Sequence, residues 1–298
     1  MARPPFAQFV RDAQQRGKLI LLDGPMGTEL QHSGLDFEKE LSHHWNESHP
    51  NAIEVVYEDY VNAGADVLLT NTFSAHLGYM KGEVNWQASV KAGIELARLP
   101  EWDHLYAIGS VGTAVGKDDQ AIPAVLAVIQ SLAGCDALLV ETQNRLDRMR
   151  ALMTDLLTAP PTAPLMMSFS FSRLPRQDKC WLVETINGEE RTPKDIGRWA
   201  NDHSENLLAL GANCGANLRL DDFVKIARDY RSQTDLPLLI KPGITPTIEC
   251  EFTPKEYAAK VKDFADAGVT LLGGCCGTTP AHIAALRKEI DRLELGWQ

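Results

Sequence analysis

The sequence predicts a single (β/α)8 (TIM) barrel preceded by a short helix, and three observations carry that expectation. Eight short apolar runs recur along the chain, at 19–23, 66–71, 105–110, 137–141, 165–170, 207–213, 236–241 and 270–274, with helical spacing between them. Apolar strands alternating with amphipathic helices imply a parallel sheet covered by helices, and eight such units close into a barrel. The length of 298 residues is ordinary for that fold. No linker, repeat or low-complexity stretch divides the chain, so residues 1–298 are expected to form one domain. A doubly wound open sheet is the alternative arrangement of the same units.

In chain order, Phe6, Phe9, Val10 and Ala13 fall on one helical face, a stripe suited to covering the barrel floor. Between the first two strands, Ile53, Val56, Tyr57, Tyr60 and Val61 follow helical spacing and Gly64 supplies a C-cap. Three later helices have marked starts. Thr192-Pro193, Thr253-Pro254 and Thr279-Pro280 each set a threonine N-cap before a proline at the first helical position, and Glu256 stands where a capping box requires it.

Catalytic side chains of such a barrel lie at the carboxyl ends of its strands. The residues there are Asp23, Asn71-Thr72-Phe73, Gly109-Ser110-Val111-Gly112, Glu141-Thr142, Cys214 after the sixth strand and Cys275-Cys276 after the eighth.

Lys and Arg number 29 against 40 Asp and Glu, a net charge of −11, and no basic run appears, which argues against nucleic acid or an anionic membrane as partner. A small molecule is the expected ligand. Residues 1–18 lack the apolar segment of a signal peptide and no run approaches a membrane span, so a cytoplasmic protein is expected. Oligomeric state is open, a homo-oligomer included. Six cysteines are too few for a disulfide scaffold in a chain of this length. Cys135, Cys180 and Cys250 carry no pattern and read as structural.

Cys214, Cys275 and Cys276 differ. Adjacent cysteines make a strained disulfide, whereas the flanking glycines of Gly273-Gly274-Cys275-Cys276-Gly277-Thr278 let both sulfurs face one point. With Cys214 from Asn213-Cys214-Gly215 they suggest a three-thiolate metal site with one open position, a set that selects zinc (Zn2+). His43-His44 could be a second metal pair, but nothing near them in sequence has ligand spacing, and they read as solvated. His282 reads as a partner of its own helix terminus.

Together, 23–29 (Asp-Gly-Pro-Met-Gly-Thr-Glu), Thr70-Asn71-Thr72-Phe73, Glu141-Thr142, Ala212-Asn213-Cys214-Gly215 and the double-cysteine run resemble the homocysteine S-methyltransferase family across nearly the whole chain. The resemblance implies a zinc enzyme on a (β/α)8 barrel that methylates homocysteine to methionine. It implies Cys214, Cys275 and Cys276 as zinc ligands, and Asp23 and Glu141 as the carboxylates holding the substrate amino group. Thr28 and Ser110 are placed with them as substrate contacts. Trp45 and Phe73, with Tyr79 as a weaker candidate, are the aromatic surround expected for a cationic donor: S-methylmethionine, S-adenosylmethionine or betaine. A selenium analogue of the acceptor is also open. One departure stands out: relatives commonly carry proline and asparagine after strand seven, where this chain reads Ile240-Lys241-Pro242-Gly243-Ile244-Thr245.

Two rival readings stand beside this one. Lys241 at a strand end could form a Schiff base, as in aldolases, if its pKa were lowered. Alternatively, the thiols could serve a zinc or thiol sensor without a donor pocket.

Overall fold

The computed structural model describes residues 3–173, 180–183, 190–244 and 251–297. Cys250, Thr245 and the side chain of Cys180 lie outside the described residues.

Among the described residues eleven strands follow in chain order: β1 (Ile20–Leu21), β2 (Val67–Leu69), β3 (Tyr106–Val111), β4 (Ala137–Gln143), β5 (Leu165–Phe169), β6 (Ser172–Arg173), β7 (Cys180–Val183), β8 (Glu190–Arg191), β9 (Ala209–Asn213), β10 (Leu238–Lys241) and β11 (Val269–Leu272). Eight of them form one parallel sheet in the order β1-β11-β10-β9-β5-β4-β3-β2. A parallel bridge between Leu22 and Val67 joins β1 to β2 and completes the ring. The fold is therefore the (β/α)8 barrel expected from the eight apolar runs, and the open sheet is excluded. Among the described residues no helix is long and apolar enough to cross a membrane.

Side-chain alternation divides the core in two. Ile20, Leu22, Val67, Leu69, Ile108, Leu139, Met166, Leu239 and Leu271 face inward and form one cluster with Phe6, Phe9, Val10 and Ala13. The amino-terminal helix Phe6–Gln15 thus plugs the floor, as its apolar stripe predicts. Phe9 stacks on Tyr106 with ring centroids 5.0 Å apart and meets Trp297 edge-on at 5.2 Å. The alternate residues, such as Leu21, Leu68, Leu138 and Leu210, pack outward against the helices.

All three helices start at the proline that the sequence marks, each with its threonine at the N-cap position. Thr192 and Thr253 accept from the backbone N–H groups of Asp195 and Glu256, each at 3.2 Å. At Thr279 the work passes to His282, whose Nδ1 accepts from the Thr279 N–H at 3.1 Å while Nε2 bonds the Phe252 carbonyl at 3.1 Å. Gly64 ends the helix Pro50–Asn62 with φ +89°, a left-handed conformation cheap only for glycine.

The small sheet β6-β7-β8 was not legible. It is an antiparallel excursion after β5, and its two-residue outer strands are too short for alternation to register.

Phe9→Ala should lower the free energy of unfolding by about 3 kcal/mol, since it empties an aromatic site between floor and barrel. Urea unfolding followed by tryptophan fluorescence checks this, and a change below ~1 kcal/mol would mean that the helix is not a structural plug.

Candidate metal and substrate site

The strand ends that the sequence marked meet at one cavity of about 380 Å³ at the carboxyl end of the barrel, although at the first strand it is Gly24 and not Asp23 that stands on its wall. Its wall includes Thr28, Phe73, Ser110, Glu141, Lys241 and the three cysteines.

The thiols converge because β9 and β11 flank β10. Cys214 follows β9 and its N–H bonds the Lys241 carbonyl at 3.2 Å, while the Cys275 N–H bonds the Pro242 carbonyl at 2.9 Å. The same short stretch after β10 therefore fixes both segments. Their three Sγ atoms lie within 4.8 Å of one another, compatible with the roughly 3.8 Å between sulfurs around a tetrahedral zinc.

Gly274 allows the tight approach, since a Cβ there would meet Thr278 Oγ1 at 2.1 Å. Thr278 in turn closes the loop by donating to the Cys275 carbonyl at 2.8 Å.

So close together, the thiols compete for negative charge. Contacts from Cys214 and Cys276, aided by Lys241, hold the Cys275 thiol well below its ordinary range. Cys214 is pushed up to about 12, chiefly by Cys275, and Cys276 is pushed up further by Cys214 and Cys275. A divalent cation is the group that lets three such neighbours ionise together, so the cluster fits a metal.

Cys214 adopts φ +55° and Thr142 φ +62°, a strained left-handed backbone at two non-glycine residues. Buried Asn213 supports Thr142 on both sides, accepting from its N–H at 2.9 Å and donating to its Oγ1 at 2.7 Å. The same amide nitrogen lies 3.6 Å from Cys275 Sγ.

Glu141 is fixed at both oxygens. Ser110 donates to Oε1 at 2.7 Å and the Lys241 ammonium to Oε2 at 2.9 Å. Burial alone would depress the Lys241 pKa, but Glu141, Cys275 and Asp23 together raise it above the ordinary value. Lys241 is thus engaged as the ammonium of a buried ion pair and does not meet the lowered pKa that the Schiff-base reading requires.

Asp23 sits at the end of β1, 2 % exposed. Its Oδ2 accepts from the Leu69 N–H at 2.8 Å, and Oδ1 has no partner among the described residues. Burial raises its pKa to about 7, against the opposing pull of Lys241. Thr28 Oγ1 is likewise buried without a partner in the cavity wall.

The aromatic expectations divide. Phe73 lines the cavity and is 38 % exposed. Trp45 does not line it; it is buried and stacked on His49, 4.3 Å between centroids, because its short helix turns it toward the outer core. Tyr79 also lies off the cavity, edge-on to Trp86. The histidines correct a further expectation, since His43 is fully buried rather than solvated.

Sequence reasoning missed the pairing of Lys241 with Glu141 and the bracing by Asn213. The available signal was a lysine and an asparagine at strand ends, where an inward-facing polar residue needs a partner. Cys135 is buried, its thiol pushed up to about 12 by that burial.

The sequence profile of the homocysteine S-methyltransferase family matches residues 20–290. The chain is 29 % identical to homocysteine S-methyltransferase of Escherichia coli K12, over 90 % of this chain and 94 % of that protein. It is 22 % identical to selenocysteine methyltransferase of Astragalus bisulcatus, over 97 % and 96 %. Its fold is similar to the crystal structure of the Escherichia coli homocysteine methyltransferase MmuM in metallated form, with TM-score 0.70, 26 % identity and coverage of 94 % and 99 %.

The raised Asp23 pKa has a consequence for stability. The folded state holds this proton up to about pH 7, whereas the unfolded chain releases it near 3.8, so Asp23 costs stability increasingly as pH rises from 4 to 7 and fully above that. Asp23→Asn should therefore stabilise the metal-free protein at pH 8 by on the order of 2–4 kcal/mol and by little at pH 4. Urea unfolding at the two pH values tests this, and an equal effect at both would remove Asp23 as the titrating group.

Proposed function

Because the chain belongs to the homocysteine S-methyltransferase family, we propose that it moves a methyl group from a small cationic donor to homocysteine sulfur, yielding methionine, at a zinc ion held by Cys214, Cys275 and Cys276. The observation that carries this reading is the meeting of three thiols on the wall of a cavity that also holds a carboxylate and an ammonium. Soft thiolates select zinc over magnesium or calcium. The metallated form of the Escherichia coli relative supports a metal in the family. Bound there, zinc would supply an open position that favours the substrate thiolate at neutral pH.

The protein's own side chains bind and orient. Asp23 Oδ1, buried without a partner, and Glu141 suit the substrate ammonium, which would draw the Asp23 pKa back down. Ser110 and Lys241 keep the Glu141 carboxylate from rotating away. Thr28 offers a hydroxyl to a polar substrate group, and Phe73 presents an aromatic face near the mouth for a cationic methyl.

The thiol proton leaves to solvent before transfer. The sulfur lone pair then forms the new S–C bond as the donor's bond from carbon to its cationic sulfur or nitrogen breaks, and that heteroatom departs neutral. Free thiols in the cluster suit a reducing compartment such as the cytoplasm.

Mass spectrometry of the zinc-loaded protein with homocysteine and, in turn, S-methylmethionine, S-adenosylmethionine and betaine should show methionine with one donor. Selenocysteine as acceptor forms a parallel arm. No product from any pair would overturn the reading.

Cys275→Ser should lose bound zinc and at least ~100-fold of activity together, because a hydroxyl is a poor zinc ligand. Glu141→Gln should raise KM for homocysteine about 10- to 100-fold, the range of a charged hydrogen bond, with metal content unchanged. Metal loss in that variant would contradict a purely substrate-binding role.

A further inference from the structure

A second donor cluster lies behind the cavity wall, away from the thiols. His43 on the 3-10 turn Ser42–His44, its neighbour His44, and Glu83 beyond the helix Ala75–Met80 bring their ligand atoms within 4.8 Å of one another. His43 Nε2 is 3.6 Å and His44 Nε2 2.9 Å from the same oxygen, Glu83 Oε2. The edge of a tetrahedral site with metal–ligand bonds near 2.0–2.1 Å is about 3.3 Å, between those two values.

The key observation is His43. Its side chain is 0 % exposed, its Nε2 has no hydrogen-bond partner among the described residues, and that nitrogen lies 3.6 Å from Glu83 Oε2 in the cluster with His44. A buried ring nitrogen without a partner is unfavourable, so something should satisfy it. A hydrogen bond to Glu83 would, but 3.6 Å is too long for one.

On its other side His43 Nδ1 lies 2.9 Å from Ser74 Oγ. With the proton on Nδ1, Ser74 accepts it and the Nε2 lone pair faces the cluster, the usual outer support of a metal-bound histidine. Coordination by His44 Nε2 moves its proton to Nδ1, and the contact given up, from the Leu41 N–H, is long at 3.4 Å. Gly78 leaves the space: a Cβ there would meet Glu83 Oε2 at 2.5 Å and His43 Nε2 at 3.0 Å.

We propose that His43, His44 and Glu83 form a second metal site, for a borderline divalent ion such as Zn2+ or Co2+, that clips the turn at 42–44 to the chain at 83. Two imidazoles and one carboxylate favour such ions over magnesium or calcium. His44 and Glu83 are about a third exposed, which gives the ion a path in and leaves its fourth position to water. The clip braces the cavity from outside, since Ser42 and Ser74 line the cavity and their hydroxyls are 3.1 Å apart. This site needs no contribution from the cysteines and stands apart from the proposed reaction.

The test is metal stoichiometry of the full chain. Reduced, metal-stripped protein is equilibrated with buffered Zn2+, desalted and assayed by elemental mass spectrometry, and Co2+ titration is followed by absorption. Wild type should hold two zinc per chain. Glu83→Gln, at a partly exposed position that tolerates the change, and the pair His44→Ala/Glu83→Gln should hold one and keep the strong thiolate-to-cobalt charge-transfer band. Cys275→Ser should hold one without that band, showing only weak visible transitions. A wild type with one zinc, unchanged in Glu83→Gln, overturns the second site, as does a wild type with two that keeps both in the double variant. Failure of the thiol site reads differently: Cys275→Ser would then match wild type in zinc and in spectrum.

Discussion

Three sulfurs held within 4.8 Å of one another are the constraint around which the top of the barrel is organised. Ionised thiols repel, so their approach has to be imposed by backbone. Parallel pairing of β10 with β9 on one side and β11 on the other does this, and the Lys241 and Pro242 carbonyls each accept from the backbone N–H of one cysteine. A slip of one residue in either pairing would turn a cysteine away from the cavity. The costs of this arrangement are visible locally, in the left-handed Cys214 and in the glycine at 274 that no larger residue could replace without moving Thr278.

Charge balance follows from the same crowding. Glu141 and the Cys275 thiol bring negative charge to the cavity wall, Asp23 is buried beside them with its proton held by that burial, and Lys241 is the ammonium among them. Its ion pair with Glu141 is 2.9 Å long with both side chains buried, so removing either partner strands the other in a poorly solvated place. The chain thus carries a lysine where a Schiff base seemed open, and the surrounding carboxylates turn it from nucleophile into counter-ion. Nearby Gly243 keeps the stretch after β10 slim: a Cβ there would already touch Cys214 Cα and Cys275 Cβ at 3.4–3.5 Å.

Much of this was legible in the sequence because the barrel repeats one local rule. Eight apolar runs gave eight strands, and the floor helix showed its stripe in Phe6, Phe9, Val10 and Ala13. The thiol cluster was legible because adjacent cysteines between glycines have few other uses. What stayed hidden depended on distance along the chain. Glu141 and Lys241 are 100 residues apart, and His43 and Glu83 are 40 apart, so no spacing rule joins them. Trp45 shows the opposite error: an aromatic near the expected face whose helix turns it to the outer core. The sheet β6-β7-β8 escaped because its two-residue outer strands carry no periodicity.

Asn213 links these threads. It lies between the sixth strand's core and the first cysteine, fully buried, and its amide serves Ser168, Thr142 and the Cys275 sulfur at once. Because its oxygen accepts from the Thr142 N–H, which can only donate, the amide cannot flip without losing that bond. Its nitrogen is thereby committed to Thr142 Oγ1 and to the sulfur. An N–H pointed at a sulfur favours the thiolate, and an amide that cannot turn keeps that donor in place. The strain at Thr142 is then the local cost of a fixed donor beside Cys275, which explains why a strained non-glycine residue directly follows the proposed substrate carboxylate, Glu141.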